Sequence, residues 1–411
     1  MGRIVTFLLL LLCTAVAARA QKMPLDDGEI EKRIGLLESE VAKLKKWKFS
    51  GYIQGQYQWG EEAAFLKVGA ANGEPGKSFD RFGIRRGRIK FACEAGIASA
   101  VFQIDLTEKG VGFKEAYLRL KDPWIGTLAF TGGVFNRPFG YEIGYSSSMR
   151  ESPERSTVFQ TLFPEERDLG AMLILQAPET SPWSIFKLEA GLFAGNGVKM
   201  ETDNKRDFIG HLSVSGKWGR NVSLGGGVSY YNGKVYQGTQ NVYSMQGKEF
   251  VLHHSESNKG GFAKREYTGL DLQFAVSSAL GTTKLHGEYL FGRQPGFQHK
   301  TNSPNASSLP AGDTYLRTFN GGYAMLVHYI GKAPVAVTGK YDWYDPNTRI
   351  SGDEIGRGGT VEADLRVHTY GVGALWDFKP GMRLSVWYDF NCNENTEIRN
   401  DVFTLRLQHK F

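Results

Sequence analysis

The chain has 411 residues, a formal net charge of +6, 22% charged and 13% aromatic residues, 51 Gly and three Cys. A mean hydropathy of −0.32 excludes a polytopic helical membrane protein, and three cysteines exclude a disulfide-stapled scaffold. Abundant glycine and aromatic residues at ordinary charge exclude a disordered chain. The length allows two or three soluble domains or one large barrel.

The first twenty residues have the pattern of a secretory signal peptide. Arg3 precedes an apolar stretch over 4–18, and Ala18 and Ala20 are the small residues expected before a cleavage site. We therefore predict removal of residues 1–20. No later apolar run approaches the ~18–20 residues that a spanning helix needs. The exported chain is expected to be secreted, periplasmic or an outer-membrane barrel, with Cys93 and Cys392 as isolated thiols.

Residues 21–46 are predicted to form a periplasmic coiled-coil helix. Apolar residues recur there at spacings of 4, 3, 4 and 3, with Glu and Lys between them: Ile30, Ile34, Leu37, Val41 and Leu44. Three heptads are too few to be stable alone, so the seam needs partner chains that something else holds together. The alternative is an amphipathic helix packed on its own chain.

From Trp47 the apolar period changes to two. Over 47–59, one face carries Trp, Phe, Ile, Tyr and Gly, and the other carries mainly Lys, Ser and Gln. Apolar residues between terminal aromatic residues are typical of a lipid-facing strand. The pattern predicts about sixteen such segments, near 47–59, 84–95, 97–107, 113–121, 126–137, 168–177, 184–195, 207–218, 220–231, 267–278, 281–292, 318–330, 333–344, 365–378, 380–390 and 401–411.

The connections between these segments alternate between short and long, as in outer-membrane barrels. The predicted fold class is therefore all-β: a transmembrane antiparallel β-barrel of about 16 strands over 47–411, with a short N-terminal coiled-coil helix. A secreted β-sandwich or propeller is the alternative, because it also uses period-two strands. That alternative explains less well why the apolar face is rimmed by Trp and Tyr.

A sixteen-stranded barrel leaves an aqueous channel, so its lining determines what passes. The predicted inward faces carry the basic residues Arg86, Arg88, Lys90 and Arg119. The long connection 138–167 and its edge add four candidate anion-binding or constriction residues: Arg137, Arg150, Arg155 and Arg167. Guanidinium groups bind phosphate bidentately, which favours an anion path. Acidic residues share these regions, so local salt bridges are the open alternative.

Three groups of segments form a distinctive series along the chain: GYIQGQY (51–57) with FGIRRGRIKF (82–91); GVFNRPFGYE (133–142); and SSS (146–148), ERS (154–156) and RDLG (167–170). In order and spacing they resemble the phosphate-selective porin O and P family, in the form found in gut-type Gram-negative anaerobes. The resemblance implies an outer-membrane porin, a homotrimer, and a third loop folded inward. It implies phosphate contact through Arg155, and more weakly through Arg150. The acid-rich third loop departs from the family pattern.

The C-terminal Phe411 closes an alternating strand and is expected to act as a signal to the barrel assembly machinery. A weakly selective general porin and a non-conducting structural or adhesin barrel remain alternatives. No Ser/His/Asp constellation predicts an enzyme, and His253-His254 has no third ligand at metal-binding spacing. Neither a cofactor nor nucleic-acid binding is expected.

Overall fold

The structure is a computed structural model that describes residues 27–394 and 398–411. The predicted signal peptide and residues 21–26 of the predicted helical segment lie outside the described residues. The chain divides into two compact units, which meet in sequence after Lys48. Each unit is described by itself.

The first unit contains helix α1 (Asp27–Lys45), which confirms the predicted helix over its described part. Four heptad side chains, Ile34, Leu37, Val41 and Leu44, are exposed on it. Their coiled-coil partner stays a prediction. No helix within 27–394 and 398–411 is both long and apolar enough to cross a membrane.

The second unit is a closed antiparallel barrel of sixteen strands. Hydrogen bonds between the first and last strands, with Gly55 opposite Leu407, close the barrel. A short helix, α2 (Thr157–Leu162), lies in the connection between β5 and β6. The barrel strands are β1 (Trp47–Gly60), β2 (Phe79–Ala95), β3 (Ala98–Thr107), β4 (Gly110–Lys121), β5 (Leu128–Asn136), β6 (Arg167–Gln176), β7 (Phe186–Phe193), β8 (Asp207–Trp218), β9 (Val222–Tyr236), β12 (Phe262–Ser278), β13 (Gly281–Gly296), β14 (Thr314–Ile330), β15 (Val335–Asp345), β16 (Val367–Lys379), β17 (Met382–Asn393) and β18 (Val402–Lys410).

The predicted strands and the alternation of connection lengths are confirmed. One end of the barrel, the short-turn end, has turns such as 96–97 and 219–221. The opposite, long-loop end carries connections such as 61–78 and 297–313. The sequence analysis did not predict the hairpin β10 (Asn241–Gln246) and β11 (Glu249–His254) in the connection after β9. The hairpin lies outside the barrel wall, since β9 pairs directly with β12.

Side chains of the barrel strands alternate between an exposed apolar face and a polar inner face. Leu118, Leu212 and Leu407 are 50–64% exposed on the outside, whereas Gln54 and Gln56 are 1% and 4% exposed inside. A closed barrel satisfies its backbone hydrogen bonds without water, and this outer belt matches hydrocarbon. The barrel therefore belongs in an outer membrane, and the alternative with a dry interior between two sheets is wrong. The two cysteines of the barrel are free, as predicted.

The connection between β5 and β6, residues 137–166, is called loop 3 and folds into the barrel. Six of its apolar side chains are at most 1% exposed: Phe139, Ile143, Val158, Phe159, Leu162 and Phe163. They join a core with inward aromatic residues of β9, β12 and β14, namely Tyr231, Tyr267, Phe319 and Tyr323. The aqueous interior is therefore narrower than the barrel itself, because loop 3 fills part of it.

Candidate functional site

Loop 3 is tied to the inner wall by hydrogen bonds opposite its apolar core. The Tyr52 hydroxyl lies 2.5 Å from Ser147 Oγ, and Gln54 Nε2 donates to the Ser147 carbonyl at 3.0 Å. Gln408 Nε2 donates to the Ser148 carbonyl at 3.0 Å. These contacts come from β1 and β18, so the loop spans the lumen from one wall to the other. The predicted inward folding of the third loop is present in the structure.

Next along loop 3, Glu154 lies among three arginines of β2 and β18, called the arginine cluster: Arg85, Arg86 and Arg406. Arg85 Nε and Nη2 donate to the two carboxylate oxygens of Glu154, both at 2.7 Å. Arg86 Nη2 and Arg406 Nη2 add bonds of 2.9 and 3.2 Å. Burial alone would raise the pKa of Glu154, but the charges of Arg85 and Arg86 hold it well below its ordinary value. Glu154 is therefore ionised at neutral pH.

A second buried carboxylate, Glu166, joins Arg155 to Arg167 where loop 3 returns to the wall. Arg155 pairs with one oxygen of Glu166, and Arg167 Nη1 lies 2.7 Å from the other. Burial opposes ionisation, but both arginines keep the pKa of Glu166 below its ordinary value. Glu165 and Glu166 have φ of 62° and 66°, the left-handed region that non-glycine residues rarely adopt. This strained bend points the Glu166 carboxylate between its partners.

Arg155 is also held by the backbone of loop 3. Its Nε donates to the Glu142 carbonyl at 2.9 Å, and its Nη2 donates to the carbonyls of Ile143 and Tyr145 at 3.3 and 3.2 Å. With the bond to Glu166, four hydrogen bonds occupy most of the donors of the guanidinium. Arg155 is therefore a fixed positive charge rather than a flexible arm.

The other two predicted loop arginines have structural partners. Arg137 is 1% exposed, and its Nε lies 3.1 Å from Asp168 Oδ2 at the start of β6. Arg150 donates to the carbonyls of Ser152 and Pro153 at 3.3 and 3.1 Å, which stabilises the turn before Glu154. The structure thus joins Arg155 and Arg167 through Glu166, but it gives Arg137 and Arg150 separate partners.

The predicted wall residues lie inside the barrel, with different surroundings. Arg86 is buried in the arginine cluster, where it also donates to Gln54 Oε1 at 3.1 Å. Arg88 contacts Asp105 at 3.3 Å and Ser147 Oγ at 3.1 Å. Lys90 is half-buried one step nearer the short-turn end. Arg119 donates to Thr131 Oγ1 at 3.1 Å between β4 and β5.

Of the cavities that adjoin loop 3, two are lined by Arg155, one on each side of the loop. The cavity toward the long-loop end has a volume of 280 Å³, and the cavity toward the short-turn end has a volume of 310 Å³. Arg155 lines both cavities and so marks the narrow zone between them. Among the described residues, the charged groups lining the short-turn cavity are five cations and one carboxylate, a net charge of +4: Arg88, Lys90, Arg155, Arg167, Lys410 and Glu115.

Several basic residues of this region were not among the predicted site residues, and two of them, Arg85 and Lys67, were not expected to face the lumen at all. Strict alternation from Arg86 would turn Arg85 outward, yet both reach Glu154. The pairing between β2 and β3 begins only at Arg88, and the inward–outward alternation of side chains is interrupted at the two preceding arginines of β2. Lys67 lines the long-loop cavity from the first long connection. The pair of adjacent arginines was visible in the sequence, whereas no local pattern indicated Lys67.

The described part of the chain, 27–394 and 398–411, contains no group of three His, Cys, Asp or Glu residues suited to a metal. His253 and His254 lie on β11 instead of in an irregular loop. Their ring nitrogens lie 2.8 Å from Ser244 Oγ and Asn241 Oδ1 of β10, respectively.

No protein-family profile matches the chain, and no curated protein matches its sequence. Solved structures do match its fold. OmpF of Salmonella typhi, in complex with daunomycin, has a TM-score of 0.56 at 12% identity, covering 89% of this chain and 97% of OmpF. The anion-selective porin of Comamonas acidovorans has 0.54 at 11%, covering 89% and 99%. OmpT of Vibrio cholerae, in its trimer form, has 0.50 at 9%, also covering 89% and 99%.

The chain has a porin fold. At sequence identities of 9–12%, the similarity to these structures shows the fold alone. The barrel and the loop across its lumen position the charges of loop 3.

Proposed function

We propose that the chain is an outer-membrane porin for passive diffusion of small anions, phosphate or related oxyanions. The observation that carries the proposal is the excess of cations at the short-turn cavity, directly below Arg155: its lining sums to +4, and +2 remains when the paired carboxylates Asp105 and Glu166 are counted. A low-dielectric wall strengthens the field of each charge in a narrow aqueous space. Anions are therefore concentrated at the narrow zone and cations are repelled from it.

The route that we propose passes beside Arg155, which lines both the long-loop cavity and the short-turn cavity. Next to it, direct hydrogen bonds of Gln54 to Ser147 and Gln408 close the gap between loop 3 and the wall. Lys67 and Lys340 line the long-loop cavity, and Arg88 and Lys90 line the short-turn cavity. An anion would thus meet fixed charges above and below Arg155. Arg167 adds a further charge to the lower cavity.

A weakly selective general porin is the second candidate, and one observation favours it. The charged residues described around the long-loop cavity balance, with three cations and three carboxylates: Lys67, Arg155, Lys340, Glu154, Asp342 and Asp389. Preference for anions would then arise only below Arg155. The anion-selective porin among the structural neighbours supports the first candidate as an analogy of fold alone.

We further propose that the chain is a non-enzymatic homotrimer related to the phosphate-selective porin O and P family. The trimer form of OmpT and the exposed heptad side chains of α1 support the trimer. Deletion of 27–45 should lower the temperature at which the trimer dissociates in detergent. Phe411 exchanges two backbone hydrogen bonds of 3.0 Å with Gly51, which places the proposed assembly signal on the β1–β18 seam.

The decisive experiment is a reversal-potential measurement on the purified trimer in planar bilayers under a potassium chloride gradient. We expect conductance with chloride more permeant than potassium, and a chloride current that added inorganic phosphate reduces. Preference for potassium would refute the anion path. Conductance without a phosphate effect would favour the general porin, and insertion without conductance would favour a structural barrel.

A further inference from the structure

The arginine cluster already holds a carboxylate in the arrangement that an oxyanion ligand would need. Arg85 binds Glu154 bidentately at 2.7 Å, and Arg86 and Arg406 approach the same two oxygens. Planar, bidentate contact of this kind is how guanidinium groups recognise carboxylate and phosphate groups. Three positive charges face one negative charge, so the cluster keeps a charge of +2 after pairing.

The Glu154 side chain borders the route of the solute. It lines the long-loop cavity, and 16% of the side chain is exposed. Lys67 lines the same cavity. A solute there meets Glu154 directly, but none of the three arginines of the cluster lines the cavity, so the solute reaches them only when the Glu154 side chain moves. Arg85 is the most exposed of the three, at 25%.

The backbone around Glu154 is anchored independently of its carboxylate. Arg406 Nη1 donates to the Pro153 carbonyl at 2.9 Å, and Arg150 Nη2 donates to the same carbonyl at 3.1 Å. Ser152 Oγ donates to the Glu154 carbonyl at 2.8 Å. Rotation of the Glu154 side chain would therefore free the arginine cluster while loop 3 stays on the wall.

We propose that Glu154 is a built-in competitor for the porin's own anion site: its carboxylate occupies the arginine cluster, and a small oxyanion in transit displaces it. The exchange replaces one set of charge-assisted hydrogen bonds with another, so the buried guanidiniums are never left without a partner. A doubly charged oxyanion gains more from the three positive charges of the cluster than the single charge of Glu154 does. Multivalent oxyanions therefore displace Glu154 from the arginine cluster, whereas chloride does not.

This inference rests on the proposed anion porin and deepens it. The test measures block of chloride current by inorganic phosphate in planar bilayers, for the wild type, Glu154→Gln and the matched control Glu151→Gln. Glu151 is also a loop 3 carboxylate, but its partners are Tyr145 at 3.0 Å and Lys284 at 3.8 Å. Both variants remove one negative charge from the lumen, and only one removes the competitor.

We expect the half-blocking phosphate concentration to fall about tenfold in Glu154→Gln and less than about twofold in Glu151→Gln. Equal values for Glu154→Gln and the wild type would overturn the proposal. An equal fall in both variants would also overturn it, because a general change of field would explain both. Absence of phosphate block from the wild type and Glu154→Gln alike would overturn it as well.

Heat-dependent mobility of the trimer in detergent gels shows whether each variant assembles. If Glu154→Gln does not, Glu154→Asp decides: its shorter side chain keeps the charge but binds the cluster less well, so phosphate block should tighten about threefold. Unchanged block in Glu154→Asp would then overturn the proposal. The wild-type reversal potential separates the two proposals, since anion preference without a difference between variants refutes only the competitor.

Discussion

Loop 3 has two sides that differ in chemistry. One side packs Phe139, Phe159 and Phe163 into an apolar core with aromatic residues of β9, β12 and β14. The other side, 147–154, contacts β1, β2 and β18 through hydroxyl, amide and charged groups. The first side resembles the core of a soluble protein and the second resembles a binding site. The apolar side thus fixes loop 3 to the barrel wall, and the polar side lines the lumen.

The difference indicates how the barrel can hold loop 3 firmly on one side while the polar groups of the other side remain able to exchange partners. Burial of an aromatic side chain contributes roughly 1.5–3 kcal/mol, and aromatic pairs add to it. The polar side gains less net stability, because buried ion pairs must first lose their water. Breaking a buried pair without replacement costs about 3–5 kcal/mol, so its groups change partners only where another anion takes the place of the carboxylate, while the apolar side keeps the loop in place.

The strongest test of this division is Phe163→Ala. The Phe163 ring lies 4.9 Å from Phe139 and 5.7 Å from both Phe159 and Tyr267, between centroids. Its removal leaves a cavity that the surrounding barrel cannot close, so we expect a loss of about 3–5 kcal/mol in the free energy of unfolding. Reversible urea unfolding of the barrel in lipid vesicles, followed by tryptophan fluorescence, measures this loss.

Met149→Ala is the control on the same loop, because Met149 is 53% exposed. It should change the free energy of unfolding by no more than about 0.5 kcal/mol. A loss below about 1 kcal/mol for Phe163→Ala would mean that the aromatic cluster does not anchor the loop. The comparison between the two sides would then fail.

Much of the wall could be predicted from the sequence, because strand alternation is a local property. The segment predicted at 47–59 is observed as Trp47–Gly60, with Gln54 and Gln56 turned inward as expected. Alternation failed at Arg85, where β2 has not yet joined the ladder with β3. The hairpin β10–β11 was missed because its two strands have only six residues each and lie outside the wall.

The interior of the barrel was less predictable. The composition of loop 3 indicated that its glutamates would orient arginines, but not which ones. Glu154 pairs with Arg406, which is 252 positions away in sequence and reaches it only because the barrel closes β18 on β1. Similarly, Arg137 was expected in the constriction but meets Asp168 on the next strand. Such pairings depend on closure of the barrel and on the path of loop 3 through it. The alternation of side chains along one strand contains neither.

A smaller effect is expected at the polar side from Lys90→Glu. Lys90 lines the short-turn cavity, and the substitution lowers its net charge from +4 to +2. The ratio of chloride to potassium permeability should fall by about two- to fivefold, because each lumen charge acts through a partly desolvated space. Lys199→Glu makes the same change at an exposed position in the connection after β7 and should leave the ratio unaltered. Equal effects from both variants would assign the preference to overall charge rather than to this cavity.

The smallest predicted effect concerns pH and separates the two cavities. Burial lowers the pKa of Lys67, and the positive charges of Arg85 and Arg86 lower it further against the opposing influence of Glu154. Lys67 then loses its proton at a lower pH than a free lysine, so anion preference should already decline as pH rises toward the ordinary lysine pKa of ~10.4. Lys67→Arg keeps its charge over this range and should flatten the decline, since guanidinium does not titrate there. Reversal potentials at successive pH values, recorded for the wild type and for Lys67→Arg, measure the anion preference of each. The same decline in wild type and Lys67→Arg would show that the titrating group lies elsewhere, and would leave the long-loop cavity without a part in selectivity.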